Sequence, residues 1–292
     1  MQLEFSSIDL SKQHAYLEAL SQSPQVTSDY SFINLWGWMT VYGLEWAWSE
    51  NLVWIRQNLP RPMNWAPVGD WKHADWTRIV KPSPESGAGF VRVPEPLVEI
   101  WKNFFGQSMT ATEDRDQWDY VYDSKELIEL PGNRFHKKKN HLNQFKKAYA
   151  CQYAPITHNI VEQAKAMQND WCTWRECSSD IELAHENEAI ARVLAAWDDL
   201  SGVMGGCILV DGRAAAYTVG ERLTPDMMVI HFEKGSAEYK GVYQAINQMF
   251  LEHQAAGIPW VNREQDIGDE GLRQAKLSYH PVRFLKKFRV VF

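Results

Sequence analysis

Apolar and polar positions change period several times along the chain, and each change marks an element. Leu3, Phe5 and Ser7 alternate as in a short strand, and Asp9 or Ser11 is placed to cap a helix over 12–21. The apolar, aromatic run Ser31–Thr40 predicts a short helix. Tyr42–Trp48 and Leu52–Gln57 read as two strands of a hairpin turning at Ser49-Glu50-Asn51. Prolines at 60, 62 and 67 argue against regular structure between Pro60 and Gly69. A helix near Asp70–Ile79, a strand near Phe90–Val93, a helix over Pro94–Phe104 and a strand over Trp118–Tyr122 complete the first half. Thr110–Gln117 is simply polar.

From Cys151 the pattern is more regular. It predicts a strand (Gln152–Thr157), two helices (Ile160–Cys177 and Ile181–Leu200) and a strand (Val203–Val210). Asp211-Gly212 is a strong two-residue hairpin signal leading into Arg213–Glu221. A strand over Met227–Lys234 runs into the glycine-bearing loop Gly235–Gly241, a helix over Val242–Ala256 and a stop at Gly257. Pro259–Glu264 is a further strand, a helix begins after Gly268, and Arg283–Phe292 closes as a final strand. This order of elements resembles a GNAT acyltransferase domain, and the first half reads as a worn copy. The expected fold is therefore α/β (α+β), tandem GNAT-like, with mixed twisted sheets flanked by helices. The expected domains are 1–125 and 126–292.

Composition narrows the class. The chain has 292 residues, 45% hydrophobic and 23% charged, as in an ordinary globular protein. Its 14 tryptophans are concentrated in the first half, where they read as core pieces rather than a base- or lipid-binding platform. A net charge of −7 gives no whole-molecule attraction to nucleic acid or to an anionic membrane. Cys151, Cys172, Cys177 and Cys207 lack CxxC spacing, so neither a zinc site nor a disulfide framework is expected. No signal-peptide pattern opens the sequence, and no run approaches the ~20 apolar residues of a membrane span. These readings predict a reduced, cytoplasmic protein with no metal and no tightly bound cofactor.

Against that acidic background, residues 134–149 carry six Lys or Arg and no acid. Phe135, Leu142, Phe145 and Tyr149 fall on one helical stripe, which leaves Lys137, Lys138, Lys139, Lys146 and Lys147 for the surface. That face is either a solvated helix or an anion site for nucleotide, tRNA or lipid phosphate.

The other concentration of chemistry lies between His231 and Pro281. Polar groups there gather at strand ends beside a helix N-terminus, the usual ligand position in open α/β sheets. Acyl transfer needs a base, a proton donor to the leaving group and a holder for the oxyanion. Glu233, Glu264 and Asp266 are candidate bases, and Tyr279 is the candidate proton donor. Glu264 and Asp266, two apart on a strand end, would share one side. Lys240, Gly241, Arg263, Arg273 and Lys276 would hold phosphate or oxyanion, and Asn262 would join them in one polar network. His231 reads as a packed histidine rather than a catalytic one.

Several pieces of the second half resemble the phosphatidylglycerol lysyltransferase C-terminal family, a tandem-GNAT group related to Fem-type aminoacyl transferases. They are Pro131-Gly132, His136–Asn140, Phe145-Lys146-Lys147, Glu233-Lys234 and Gly241 with Tyr243. Asn262-Arg263-Glu264-Gln265-Asp266, Gly271-Leu272-Arg273 and Lys276-Leu277-Ser278-Tyr279 complete the set. The resemblance implies transfer of an acyl or aminoacyl group from an activated donor, aminoacyl-tRNA or acyl-CoA, to an amine or hydroxyl. Acetyl-CoA-binding members of the fold hold pyrophosphate on a glycine-rich loop, whereas Glu238–Tyr243 here has one glycine and a crowding Tyr243. The alternative is a non-catalytic protein that binds a phosphorylated ligand or RNA through the basic helix and the cleft. Peripheral membrane contact ranks below a small-molecule or tRNA donor.

Overall fold

The computed structural model describes residues 3–49, 51–76 and 89–292. Two compact units emerge, and they are interleaved along the chain. Unit 1 takes Met1–Asp119, Gln265–Arg273 and Phe284–Phe292, whereas unit 2 takes Tyr120–Glu264 and Gln274–Arg283. The sequence suggests instead two continuous segments, 1–125 and 126–292.

Unit 1 is built on a mixed sheet. Its strands run β1 (Ser6–Ser7), β2 (Glu45–Ser49), β3 (Leu52–Gln57), β4 (Met63–Trp65), β6 (Phe90–Pro94), β15 (Lys287–Val291) and β7 (Thr110–Glu113), with β5 (Val68–Gly69) on β3. Asp9 accepts from Ser11 N–H and starts the turn that leads into helix α1 (Gln13–Ser21). The predicted aromatic helix is α2 (Phe32–Tyr42), which the Ser31 hydroxyl caps and a left-handed Gly43 ends. Trp46, Trp71, Trp76 and Trp101 are fully buried, so these tryptophans are core pieces. Helix α3 (Glu95–Phe105) buries Leu97, Val98 and Trp101.

Three expectations for this unit are corrected. The proline-rich stretch does contain strands, because Pro60, Pro62 and Pro67 flank Met63–Trp65 without interrupting it. Residues 70–75 form a turn at 71–73 and no helix; Asp70 Oδ1 accepts from the N–H groups of Lys72 and His73, and Trp71 and Trp76 are tied to Pro67 and Trp71 carbonyls. Residues 77–79 of that expected helix lie outside the described residues, as does Glu50 in the hairpin turn. The final strand is two: β14 (Arg283–Leu285) joins the other sheet, and β15 enters between β6 and β7. What fixes β15 is Lys287, whose fully buried ammonium donates to Asp29 and, at 2.6 Å, to Asp119. Arg92 also donates to Asp29, and this pair of cations outweighs burial and keeps the Asp29 carboxyl below its ordinary range.

Unit 2 carries the element order that the sequence predicts from Cys151 as far as the helix after Gly268. Its sheet runs β14, β8 (Asp119–Asp123), β13 (Trp260–Asn262), β12 (Met227–Gly235), β11 (Arg213–Thr224), β10 (Val203–Val210) and β9 (Cys151–Pro155). Asp211 and Gly212 both take positive φ, 50° and 78°, as the predicted hairpin turn requires. Helices α6 (His158–Trp174) and α7 (Ile181–Ala195) are joined by a turn closed by a Cys172–Cys177 disulfide. This corrects the expectation of a reduced chain with no disulfide framework at one pair, while Cys151 and Cys207 are free thiols. Left-handed Glu176, with φ 52°, reverses the chain after α6 and brings the two Cα atoms to 5.1 Å, which CxxC spacing does not anticipate. The basic stretch forms α5 (His136–Ala148), with Phe135, Leu142 and Phe145 buried as its apolar stripe predicts. Helix α8 (Val242–Gln254) starts at Gly241, and its chain turns at Gly257 with φ 78°.

Candidate functional site

The site begins where two parallel strands part. β12 and β13 pair from Met227 opposite Trp260 to Val229 opposite Asn262, after which β13 ends and β12 runs on to Gly235. Asn262 Oδ1 accepts from Glu264 N–H at 2.7 Å, a local bond that turns the chain out of the strand. Glu264 itself takes φ 57°. Strand alternation therefore stops at Asn262, and the expected shared side for Glu264 and Asp266 does not arise from it.

Two side-chain pairs span the opening within unit 2. The first is centred on His231, the extra residue of a bulge in β12, where Val219 pairs with Phe232 but Gly220 pairs with Ile230. His231 Nδ1 lies 2.7 Å from Glu264 and Nε2 lies 3.0 Å from Glu221, with the imidazole fully buried. Burial alone would strip its proton, but the bonds to Glu221 and Glu264 outweigh that and raise its pKa to about 9. His231 is thus packed in the interior, as the sequence suggests, and its two carboxylate partners favour the imidazolium form.

The second pair is Arg263 with Glu233, at 3.1 Å and with side chains 16% and 11% exposed. Asn247 of α8 holds the other Glu233 oxygen at 3.1 Å. The Arg263 guanidinium lies 4.9 Å from the centre of the buried Tyr279 ring, and the Lys138 ammonium of α5 lies 4.2 Å from it. Burial raises the Tyr279 pKa, so this phenol keeps its proton. Burial, then the nearby Arg263 charge, lowers that of Lys138. A hydrogen-bonded carboxylate, a guanidinium, a protonated phenol and an ammonium meet here. This set can take a proton, hold negative charge and return a proton.

The other sequence candidates sit as follows. Lys276 donates to the Arg263 carbonyl, and Tyr122 Oη donates to the Lys276 carbonyl at 2.9 Å. Asp266 and Arg273 belong to unit 1, where Arg273 makes a bidentate pair with Asp266 at 2.9 and 3.0 Å and reaches Asp116 at 2.7 Å. Arg115 also reaches the buried Asp266, at 3.1 Å. Arg273 and Lys276, one helical turn apart on α9 (Glu270–Leu277), thus take different partners. Lys137 and Lys139 are exposed on α5, and Lys139 donates to the Glu129 carbonyl at 3.1 Å.

Lys240 is exposed and Gly241 opens α8, but Gly241 backs onto α5. A Cβ there would stand 2.4 Å from the His141 carbonyl oxygen. A larger residue at Gly241 therefore disturbs the packing of α5 on α8 and not only the loop. Among the described residues no group of His, Cys, Asp and Glu is arranged to hold a metal.

Sequence reasoning missed Glu221, Asn247, Trp171 and the buried Asp29–Lys287–Asp119 cluster. One signal was available for Glu221: it is the single acid in Arg213–Thr224, whose middle is otherwise apolar or small. Lys287, in Leu285-Lys286-Lys287-Phe288, looks like any surface lysine.

Solved structures place this architecture in a class. A conserved protein of unknown function from Bacteroides thetaiotaomicron matches over 100% of both chains, with 26% identity and a TM-score of 0.90. L-PGS from Bacillus licheniformis covers 97% of this chain and 91% of its own, with 11% identity and a TM-score of 0.66. FemX covers 99% and 98%, with 7% identity and a TM-score of 0.60. At the latter identities the likeness is one of fold, and the fold is a tandem GNAT. The chain belongs to the family described as phosphatidylglycerol lysyltransferase, C-terminal, whose model matches residues 20–291. That match takes in the first half, beyond the segments that carry the resemblance in the sequence. An uncharacterized protein of Mycoplasmoides gallisepticum is 25% identical over 185 residues, and the match spans 59% of this chain and 55% of that protein. Among the described residues no helix is long and apolar enough to cross a membrane.

Proposed function

We propose that this chain transfers an aminoacyl group from aminoacyl-tRNA to an amine or hydroxyl acceptor. The observation that carries the reading is the convergence of Glu233, Arg263 and Tyr279 in unit 2 where β12 and β13 part, with Lys138 of the basic helix on the Tyr279 ring. In the reaction, the acceptor N–H or O–H attacks the ester carbonyl and its proton passes to Glu233. Arg263 holds the developing oxyanion. The bond from the carbonyl carbon to the ribose oxygen breaks, and Tyr279 protonates that oxygen. Family membership supports a transferase of this kind. The exposed lysines of α5 suit a phosphate-rich donor, with which a compact acyl-CoA competes less well. Phosphatidylglycerol, the lipid in the family's description, is one hydroxyl acceptor to test.

The second reading is a non-catalytic protein that holds a phosphorylated ligand or RNA on the same lysines. Consumption of labelled aminoacyl-tRNA with amines, and with phosphatidylglycerol vesicles, separates the two. Transfer by wild type that falls by about 100-fold or more in Glu233→Gln, with melting temperature nearly unchanged, supports catalysis. Tight binding without consumption supports the second reading.

A further inference from the structure

Beyond Val229 the ladder between β12 and β13 ends, because among the described residues β13 stops at Asn262. β12 runs on to Gly235 as a strand edge crossed there by the His231–Glu264 and Arg263–Glu233 side-chain pairs. Backbone N–H and C=O groups on such an edge can pair with an extended, amide-bearing chain laid alongside as a further strand. The pantetheine arm of a CoA thioester is a chain of that kind: thin, linear and carrying two amides. Whether it can be taken up depends on what stands at the end of the edge.

Tyr243 stands there. It lies in the first turn of α8, and its ring edge is 3.3 Å from where a Cβ on Gly235, the last residue of β12, would be. Its Oη accepts from Trp171 Nε1 of α6 at 3.3 Å and stands close to the backbone N–H of Gly235. The phenol thus stands against the last residue of the edge, and the bond from Trp171 keeps it in place. Trp171 is anchored in turn: it is buried, and the Lys234 ammonium lies 4.1 Å from its ring centre while pairing with Glu186 of α7 at 2.7 Å. The helix N-terminus behind Tyr243 offers little to a pyrophosphate. Val242 N–H already donates to the Tyr239 carbonyl at 3.1 Å, and Gly241 is backed by the His141 carbonyl.

We propose that Tyr243 is a specificity-determining residue: held by Trp171 against the Gly235 backbone, it closes the open end of β12 to acyl groups carried on pantetheine. The inference rests on the reading that this strand end is the transfer site, and it names the donor class that the site rejects.

Calorimetric titration with CoA and with acetyl-CoA tests it on the full chain. Wild type and Tyr243→Phe, which keeps the ring, should show no binding at millimolar ligand. Tyr243→Ala should bind at least about tenfold more tightly than wild type. Should Tyr243→Ala lose the native near-ultraviolet circular dichroism, Tyr243→Leu, which also removes the ring but keeps an apolar side chain, replaces it with the same expected gain. Binding of either ligand by wild type or by Tyr243→Phe overturns the proposal. So does a folded Tyr243→Ala, or its replacement, that gains nothing. If the wild type still consumes aminoacyl-tRNA while the variant gains nothing, this inference alone fails; if wild type takes acetyl-CoA as its donor, the functional reading fails with it.

Discussion

His231 shows how a residue's role depends on partners that its sequence neighbourhood does not display. Its pKa rises from the ordinary 6.5 to about 9 because Glu221 and Glu264 hold the imidazolium. For a raised pKa, the stabilisation is complete below the unfolded value and is lost as pH climbs through the folded one. The stability difference between wild type and His231→Gln should therefore be constant below about pH 6.5 and shrink towards pH 9, by on the order of 3 kcal/mol. Urea unfolding at a series of pH values measures it, and a difference that does not change with pH would mean that His231 is neutral. Gly241 yields a second residue-scale prediction. With φ 90° and the His141 carbonyl oxygen 2.4 Å from a would-be Cβ, Gly241→Ala meets both strain and a backbone clash. Gly257, with φ 78° and nothing within 4 Å, meets strain alone. Gly241→Ala should thus cost about 2–4 kcal/mol and Gly257→Ala about 1 kcal/mol in denaturant unfolding. Equal costs would contradict the packing of α5 on α8. Glu233 and Arg263 were legible as site candidates because charged groups gather at those two strand ends, and Tyr279 because it follows the helix that comes next; Glu221 was not, since its partner lies on another strand.

The elements were the most legible level in unit 2, where period-2 and period-3.6 runs are long and the Asp-Gly turn leaves little choice of register. Legibility failed where short-range patterns compete with tertiary contacts. β13 stops at Asn262 because of one side-chain bond to Glu264 N–H, and the expected final strand divides because Lys287 is drawn between two buried carboxylates. The basic helix was read correctly in its apolar stripe, and its exposed lysines carry the element-scale prediction. Lys137 and Lys147 are solvent-facing, so replacing both with Glu should leave stability within about 0.5 kcal/mol of wild type. The same double variant should weaken tRNA binding and flatten its dependence on salt, because fewer phosphates are neutralised. Filter binding across a range of salt concentrations checks this, and an unchanged slope would take α5 out of the donor site.

At the scale of the whole molecule, the tandem arrangement was legible from element order, but the interleaving was not. The chain leaves unit 2 between Glu264 and Gln265, re-enters it between Arg273 and Gln274, and leaves again between Arg283 and Phe284. Nothing in the periodicity marks these crossings, because they are fixed by long-range bonds such as Ser28 to Asp119 and Gln265 to Asp29 within unit 1. They also explain why the charged residues of 262–276, which look like one cluster in sequence, serve two units. On the function proposed above, unit 2 reads an aminoacyl ester on a tRNA carrier. Competition between aminoacylated and uncharged tRNA for the full chain tests it most directly. The aminoacylated form should bind more tightly, and Arg263→Gln should erase the preference while leaving the salt-dependent part of binding in place. Equal affinity of wild type for the two forms would contradict it.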